Sequence, residues 1–441
     1  MASGTLAGVA IAGRSSTASS DESDPPPDLR PGEEPESFEE RYPGLRVMTH
    51  DPENAEAADR ETYTKATTPT SEHYVRNHYP TPAIDADEWT IELRGLGLED
   101  CLELDTRTLR EEFSTESVAH TMQCSGNGRA DFEPEVDGVP WTVGAVGTTV
   151  WTGAPLREVL EGAGAETHNG TWLVVAGGEH PEDEDVFARS LPVEKVLEDC
   201  ILAYEMDGEP LTPDHGYPVR LVVPGWFGNN CVKWVAELEV TEKMHAGEAW
   251  ADYVEWQHES YRMLAADQEP SERESIDEFD TRAQMDAEAA GEIDYAPYLY
   301  DQLVKSLVGY PGENATLEPR EQDGRIEIVG VAWAGDDRAE RVEISVDGGE
   351  TWADADFFGQ DLGPYGWRQF RYCWDAEPGE YTIVSRATDE HGRNQPRTVA
   401  DAEEGLLTIE DDRFPWNQDG YGNNAYLPHG VDVTVVDDGC E

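Results

Sequence analysis

From about residue 70 onward, Gly and Pro cut the chain into short apolar segments, and this punctuation limits its fold more than any other feature. Trp89-Thr90-Ile91-Glu92-Leu93, Thr171-Trp172-Leu173-Val174-Val175 and Val219-Arg220-Leu221-Val222-Val223 are short and rich in β-branched and aromatic residues, so they read as strands. Helical patterns are fewer. Residues 154–163 place Leu156, Val159 and Leu160 on one face, with Pro155 near the start and Gly162 near the end. No apolar run reaches 18 residues, so no integral membrane segment is expected. Residues 266–296 are acidic and weakly periodic, which marks a connector. Beyond it, Ile326 to Val331, Arg341 to Val346 and Tyr381 to Ala387 alternate apolar with polar residues, and Asp347-Gly348-Gly349 supplies a tight turn. The predicted fold class is therefore α+β: a mixed α/β domain over 61–265, then an immunoglobulin-like β-sandwich over 297–441. Residues 1–60, rich in Ser, Pro, Asp and Glu, are expected to be a disordered acidic tail.

Charge narrows the partners. The 441 residues hold 31 Lys and Arg against 94 Asp and Glu, a net charge of -63. Such a surface repels nucleic acid and anionic membranes. It keeps a protein hydrated in concentrated salt, and we read it as the whole-surface adaptation of a halophile. The hydrophobic fraction of 38% and 13 tryptophans are ample for a folded core. The six cysteines, Cys101, Cys124, Cys200, Cys231, Cys373 and Cys440, form no C-x-x-C pair, so they are expected to be reduced and individually buried. The opening Leu6-Ala7-Gly8-Val9-Ala10-Ile11-Ala12-Gly13 is short and lacks a preceding basic region. The expected location is cytoplasmic, with export as the alternative if this stretch is the end of a longer signal.

One cysteine stands out chemically. In Thr121-Met122-Gln123-Cys124-Ser125-Gly126-Asn127-Gly128-Arg129, a soft thiolate ligand lies beside flexible backbone and a planar cation suited to an oxyanion. The combination points to a metal and an anion sharing one pocket. Three other segments cluster polar groups: Tyr74-Val75-Arg76-Asn77-His78-Tyr79-Pro80; Asp214-His215-Gly216-Tyr217-Pro218-Val219-Arg220, with the Cys231-Val232-Lys233-Trp234 run that follows it; and Gln257-His258-Glu259-Ser260-Tyr261-Arg262.

Together, and in this order, these motifs resemble the sulfite oxidase family of molybdopterin enzymes, which also contains the assimilatory nitrate reductases; the acidity suggests a haloarchaeal-like member. The resemblance covers residues of about 70 to 437 and includes Asp347-Gly348-Gly349-Glu350-Thr351-Trp352 and Trp416-Asn417-Gln418-Asp419-Gly420. It implies a molybdenum–molybdopterin cofactor, with Cys124 as the metal's protein ligand. Arg76, Asn77, His78, Glu179, His215, Arg220, Cys231, Val232 and Lys233 would bind the pterin, with Arg220 and Lys233 at its phosphate. Arg76 and Arg129 would face the substrate, Tyr261 would hydrogen-bond near the metal, and Trp141 would line the pocket. A soft thiolate suits a polarisable metal, which keeps the sulfur deprotonated.

The resemblance further implies oxygen-atom transfer on a small oxyanion, with sulfite oxidised to sulfate. The chain has no haem-binding His-Pro-Gly-Gly module and no flavin or nicotinamide pattern. Electrons are therefore expected to pass to a separate acceptor, and the second domain implies a homodimer. One departure bears on substrate: Asp419 stands where the family's sulfite oxidases carry an arginine. A reversed charge disfavours a doubly charged anion if it points inward. Two alternatives remain: a reductase of nitrate or of an S- or N-oxide, and a catalytically silent binding protein.

Overall fold

A computed structural model describes residues 37–132, 135–179, 186–244, 260–263, 280–293, 297–319, 324–397, 407–409, 412–414, 417 and 419–436. The first unit is built on two five-stranded sheets. One runs Glu209–Pro210, Ile201–Met206, Val146–Pro155 and Glu116–Gln123, with Arg220–Val222 also pairing with Ile201–Met206. The other runs Leu102–Asp105, Thr90–Gly95, Val235–Thr241, Trp172–Gly177 and Ala188–Pro192. Only one pairing in these two sheets is parallel, Val235–Thr241 beside Thr90–Gly95. Trp172–Gly177 is buried at every position, as a continuous apolar run requires. The predicted helix occupies Leu156–Ala163, with Leu156, Val159 and Leu160 buried. It stops at Gly164, whose φ of 79° provides a left-handed cap, two residues beyond the glycine read from sequence.

The second unit is a sandwich. A four-stranded sheet, Lys305–Tyr310, Ile326–Trp333, Arg368–Trp374 and Asp356–Phe358, faces a five-stranded one formed by Ala315–Leu317, Val431–Val435, Gly379–Asp389, Ala339–Ser345 and Ala353–Asp354. Val308, Ile328, Phe370, Ile344, Ile383 and Val431 fill the space between. Val431–Val435 alternates buried with exposed along its length, the pattern of a strand with one wet face.

One boundary expectation is corrected. The acidic tail does not extend to residue 60, because residues 37–57 fold. Ser37 and Glu40 form a reciprocal capping box on the turn Phe38–Arg41, and the hairpin Leu45–His50/Glu53–Ala57 follows. Phe38, Tyr42, Leu45, Ala55 and Val75 make a small core of their own. Acidic composition hid this because its few apolar residues are spread over a short helical turn and two strands rather than one periodic run. Residues 1–36 lie outside the described set. Within the connector, Thr281–Ala289 is a helix. Asp280, just ahead of it, takes a two-pronged ion pair from Arg393 at 3.0 Å for each contact.

The folded N-terminal segment reaches the first unit's motifs. Asp214, 1% exposed, accepts from Arg41, from the Tyr42 hydroxyl at 3.0 Å and from Thr81 Oγ1 at 2.7 Å. Removing the cation would leave a buried carboxylate with weaker donors. Arg41→Met is expected to lower unfolding stability by about 1–3 kcal/mol, read as a reduced urea midpoint in concentrated KCl. An unchanged midpoint would show that this segment is peripheral.

Candidate active site

The strand Glu116–Gln123 delivers Cys124 to the edge of the first unit, where the chain turns sharply. Cys124 N donates 2.9 Å to the Ala145 carbonyl, Asn127 N donates 3.0 Å to the Cys124 carbonyl, and Arg129 N donates 2.9 Å to the Gly126 carbonyl. Gly128 takes φ 87°, and a Cβ there would lie 2.9 Å from both Asn423 Nδ2 and His429 Nε2. Only glycine suits both demands. Burial raises the Cys124 thiol above its ordinary range, against Arg76, the Gly126 backbone and Arg129. The free protein therefore holds a thiol, and a metal would have to displace its proton.

Two cavities meet at this cysteine. An inner cleft is walled by Glu179, His215, Arg220, Cys231 and Lys233, and an outer funnel by Arg129, Trp141, Arg189, Asp419 and Tyr421. Arg76, His78, Cys124, Phe187 and Tyr261 belong to both. The sequence motifs therefore converge, with two exceptions. Val232 is core, fully buried, its carbonyl taken by Leu221 N at 2.8 Å. Asn77 is outside both walls and acts through its neighbours, accepting from Lys233 Nζ and donating 3.0 Å to Thr81 Oγ1.

The cleft is a cradle of cations with unmet hydrogen-bonding capacity. Lys233 Nζ also donates 2.8 Å to the Asp214 carbonyl, while burial, then Arg220, drives its pKa down to about 7. Glu179 is lifted to about 7 by burial, against Lys233, Arg76 and Arg189. Arg220 is buried, donating to the carbonyls of His215 at 3.0 Å and Cys231 at 3.1 Å. Among the described residues, Glu179 Oε2 and Arg220 Nε find no hydrogen-bond partner. Buried groups in that state call for a ligand with polar edges, which a pterin with its phosphate supplies. His215 contributes differently from the expectation: Nδ1 pairs with Thr212 Oγ1 at 2.7 Å and Nε2 with the His73 carbonyl at 3.2 Å, so both nitrogens brace the cleft.

The funnel carries three arginines. Arg129 is buried, with Nε donating 2.7 Å to the Asp419 carbonyl and Nη1 donating 3.0 Å to the Val139 carbonyl. At Gly138, φ 110°, a Cβ would lie 2.5 Å from Arg129 Nη1. Arg189 was not anticipated from sequence. It is 2% exposed, and its guanidinium carbon lies 4.2 Å from the Phe187 ring centre and 5.2 Å from that of Tyr261. Tyr261 itself stacks on Tyr421 at 4.5 Å. Burial, Arg76 and Arg189 push His78 down to about 4, so it is neutral at neutral pH. Asp419 is exposed at the rim; desolvation raises its carboxyl pKa and Arg129 opposes the rise.

Tyr74, Phe187 and Asp214 also line the cleft without having been given roles from sequence. Tyr74 and Asp214 sit inside quoted motifs, which was the available signal, whereas Phe187 and Arg189 belong to no motif. Among the described residues no group of three His, Cys, Asp or Glu could hold a metal ion. Cys101 and Cys373 prove exposed rather than buried, because each lies at a solvent-facing position.

The two shifted groups give stability a pH signature in cofactor-free protein. Glu179, raised, makes the folded state bind more protons between its ordinary range and about 7, so stability falls with pH there. Lys233, lowered, makes the unfolded state bind more protons from about 7 upward, so stability then rises. Unfolding free energies across pH 5–10 in concentrated KCl are expected to lose the falling limb in Glu179→Gln and the rising limb in Lys233→Met. Parallel curves for wild type and both variants would contradict these shifts.

Comparison with known proteins places both units among molybdopterin oxidoreductases. Residues 78–249 match the oxidoreductase molybdopterin-binding domain, and residues 296–409 the Mo-co oxidoreductase dimerisation domain. Sulfite oxidase of Gallus gallus is 32% identical over 374 residues, covering 82% of this chain and 74% of that protein. Mitochondrial sulfite oxidase of Rattus norvegicus is 32% identical over 412 residues, and the chain spans 66% of its length. A nitrate reductase [NADH] of Brassica napus is 30% identical over 403 residues, covering 84% of this chain and 40% of that protein. Among solved structures, the sulfane dehydrogenase SoxCD from Paracoccus pantotrophus superimposes with a TM-score of 0.66 at 26% identity, covering 94% of this chain and 96% of that chain. The chain belongs to the sulfite oxidase family of molybdopterin-binding oxidoreductases.

Proposed function

We propose that this protein oxidises sulfite to sulfate and passes the electrons to a separate acceptor, working as a homodimer joined through its second unit. The observation that carries this reading is the position of Cys124 at the junction of a polar cleft and a funnel walled by Arg76, Arg129 and Arg189. When bound, the molybdenum–molybdopterin cofactor supplies two-electron oxygen-atom transfer. Sulfite gains one oxygen derived from water, and two protons and two electrons leave.

The chain's own residues do the rest. Glu179, Arg220 and Lys233 are suited to hold the pterin, since the buried Glu179 Oε2 and Arg220 Nε find no partner among the described residues. Cys124 anchors the metal end. Arg76, Arg129 and Arg189 draw the oxyanion to one end of the cavity, where their charge is less screened than in water. Arg129 cannot swing away, because two of its nitrogens are bound to carbonyls. Trp141, 2% exposed, closes the funnel wall, and Tyr261 faces both cavities.

A second reading rests on Asp419. A carboxylate in the funnel wall favours an anion of single charge, and similarity to a nitrate reductase makes reduction of nitrate the competing reaction. Purified protein is expected to carry about one molybdenum per chain and to turn over sulfite with an artificial acceptor in concentrated KCl. Metal-loaded protein that ignores sulfite but is reoxidised by nitrate would support the second reading instead. Cys124→Ser is expected to abolish turnover. Asp419→Arg is expected to lower the KM for sulfite about tenfold, and an unchanged KM would remove Asp419 from the substrate's field.

A further inference from the structure

Lys305 opens the strand Lys305–Tyr310 of the second unit, yet it is completely buried and reaches the first. Its Nζ donates 2.7 Å to Asn127 Oδ1 and 2.8 Å to the Asn423 carbonyl. Among the described residues it makes no ion pair within hydrogen-bond distance. The other buried lysine between the units behaves differently: Lys195 contacts Asp199 at 2.9 Å and Asp336 at 2.7 Å, a charge-paired cross-link. Burying an ammonium without an acid in contact is costly, so what Lys305 secures is geometry.

Both acceptors belong to the turn that follows Cys124 or to the segment that clasps it. Asn127 is three residues beyond Cys124, and its Nδ2 donates 2.9 Å to the Val143 carbonyl. Asn423 Nδ2 donates 2.8 Å to the Gly128 carbonyl, and the adjacent Gly422 N donates 2.9 Å to the Ser125 carbonyl. Lys305, Asn127, Gly128 and Asn423 thus close a ring of contacts around the turn. We propose that Lys305 is a positioning residue: by gripping Asn127 and the Asn423 backbone together, it fixes the course of the chain from Cys124 to Arg129. The direction of the Cys124 sulfur and the seat of the Arg129 guanidinium follow from that course. This assignment rests on the reading of Cys124 as the metal ligand.

The test compares holoenzyme carrying Lys305→Met, Lys305→Gln or Lys195→Gln with wild type. Three quantities are read: molybdenum per chain, the visible thiolate-to-molybdenum absorption band, and hydrogen exchange of backbone amides in residues 124–131. Lys305→Met is expected to exchange about tenfold faster across this turn, to shift the band, and to lose about tenfold in kcat/KM. Lys305→Gln, which keeps a donor, is expected to recover part of each. Lys195→Gln is expected to lower the thermal midpoint while leaving the exchange of 124–131 and the band as in wild type. Wild-type exchange and an unshifted band in both Lys305 variants would overturn the proposal. If Lys305→Met does not accumulate as folded protein, the Gln variant decides. Wild type without molybdenum would count against the reading of Cys124, while the exchange comparison would still decide the role of Lys305.

Discussion

The turn after Cys124 satisfies only part of its own backbone, and a distant segment of the chain supplies the rest. Its carbonyls at Ser125 and Gly128 are taken by Gly422 N and Asn423 Nδ2, from 295 positions away in the second case. A buried carbonyl left open would cost about 1–3 kcal/mol; Gly128 also accepts from Asp131 N at 3.2 Å inside the turn, so the distant segment matters most at Ser125. Neighbouring contacts repeat the pattern. Trp333 Nε1 donates 2.9 Å to Gln123 Oε1, and Gln302 Nε2 donates 2.6 Å to the Thr121 carbonyl. The active-site strand is therefore held by the sandwich unit as well as by its own sheet.

The same cavity concentrates positive charge in a chain that carries very little. Arg76, Arg129, Arg189, Arg220 and Lys233 account for five of only 31 Lys and Arg, inside an envelope of net charge -63. In dilute buffer that envelope would oppose an approaching anion. At about 1 M salt the screening length falls to about 3 Å, so the exterior becomes nearly invisible to the anion while the buried arginines, shielded from ions by the walls, do not. The acidic surface and the cationic funnel are compatible because salt acts on one and spares the other.

Much of the site was legible because its chemistry is carried by ordered motifs. Cys124, Arg76, His78, Arg129, Trp141 and Tyr261 could be named from neighbours in sequence, and all line one continuous cavity. What was not legible has physical causes. Arg189 enters the funnel from a strand with no motif around it, so only the folded register of Ala188–Pro192 against Trp172–Gly177 brings it there. Val232 and Asn77 lie in matched motifs but face the core and Lys233, because alternation along an irregular segment cannot be counted without its hydrogen bonds. The helix Thr281–Ala289 and the hairpin of residues 45–57 were hidden by acidic composition, which sequence reading takes for solvation and the structure uses as ion-pair and capping partners.

Arg129 is fastened to residue 419 through that residue's backbone, and this has an evolutionary consequence. A carbonyl is present whatever side chain the position bears, so the arginine keeps its seat if 419 changes from acid to base or to a neutral group. The charge seen by an incoming anion can then drift one substitution at a time without disturbing the machinery beneath it. Position 419 is in this sense a dial mounted on a fixed frame.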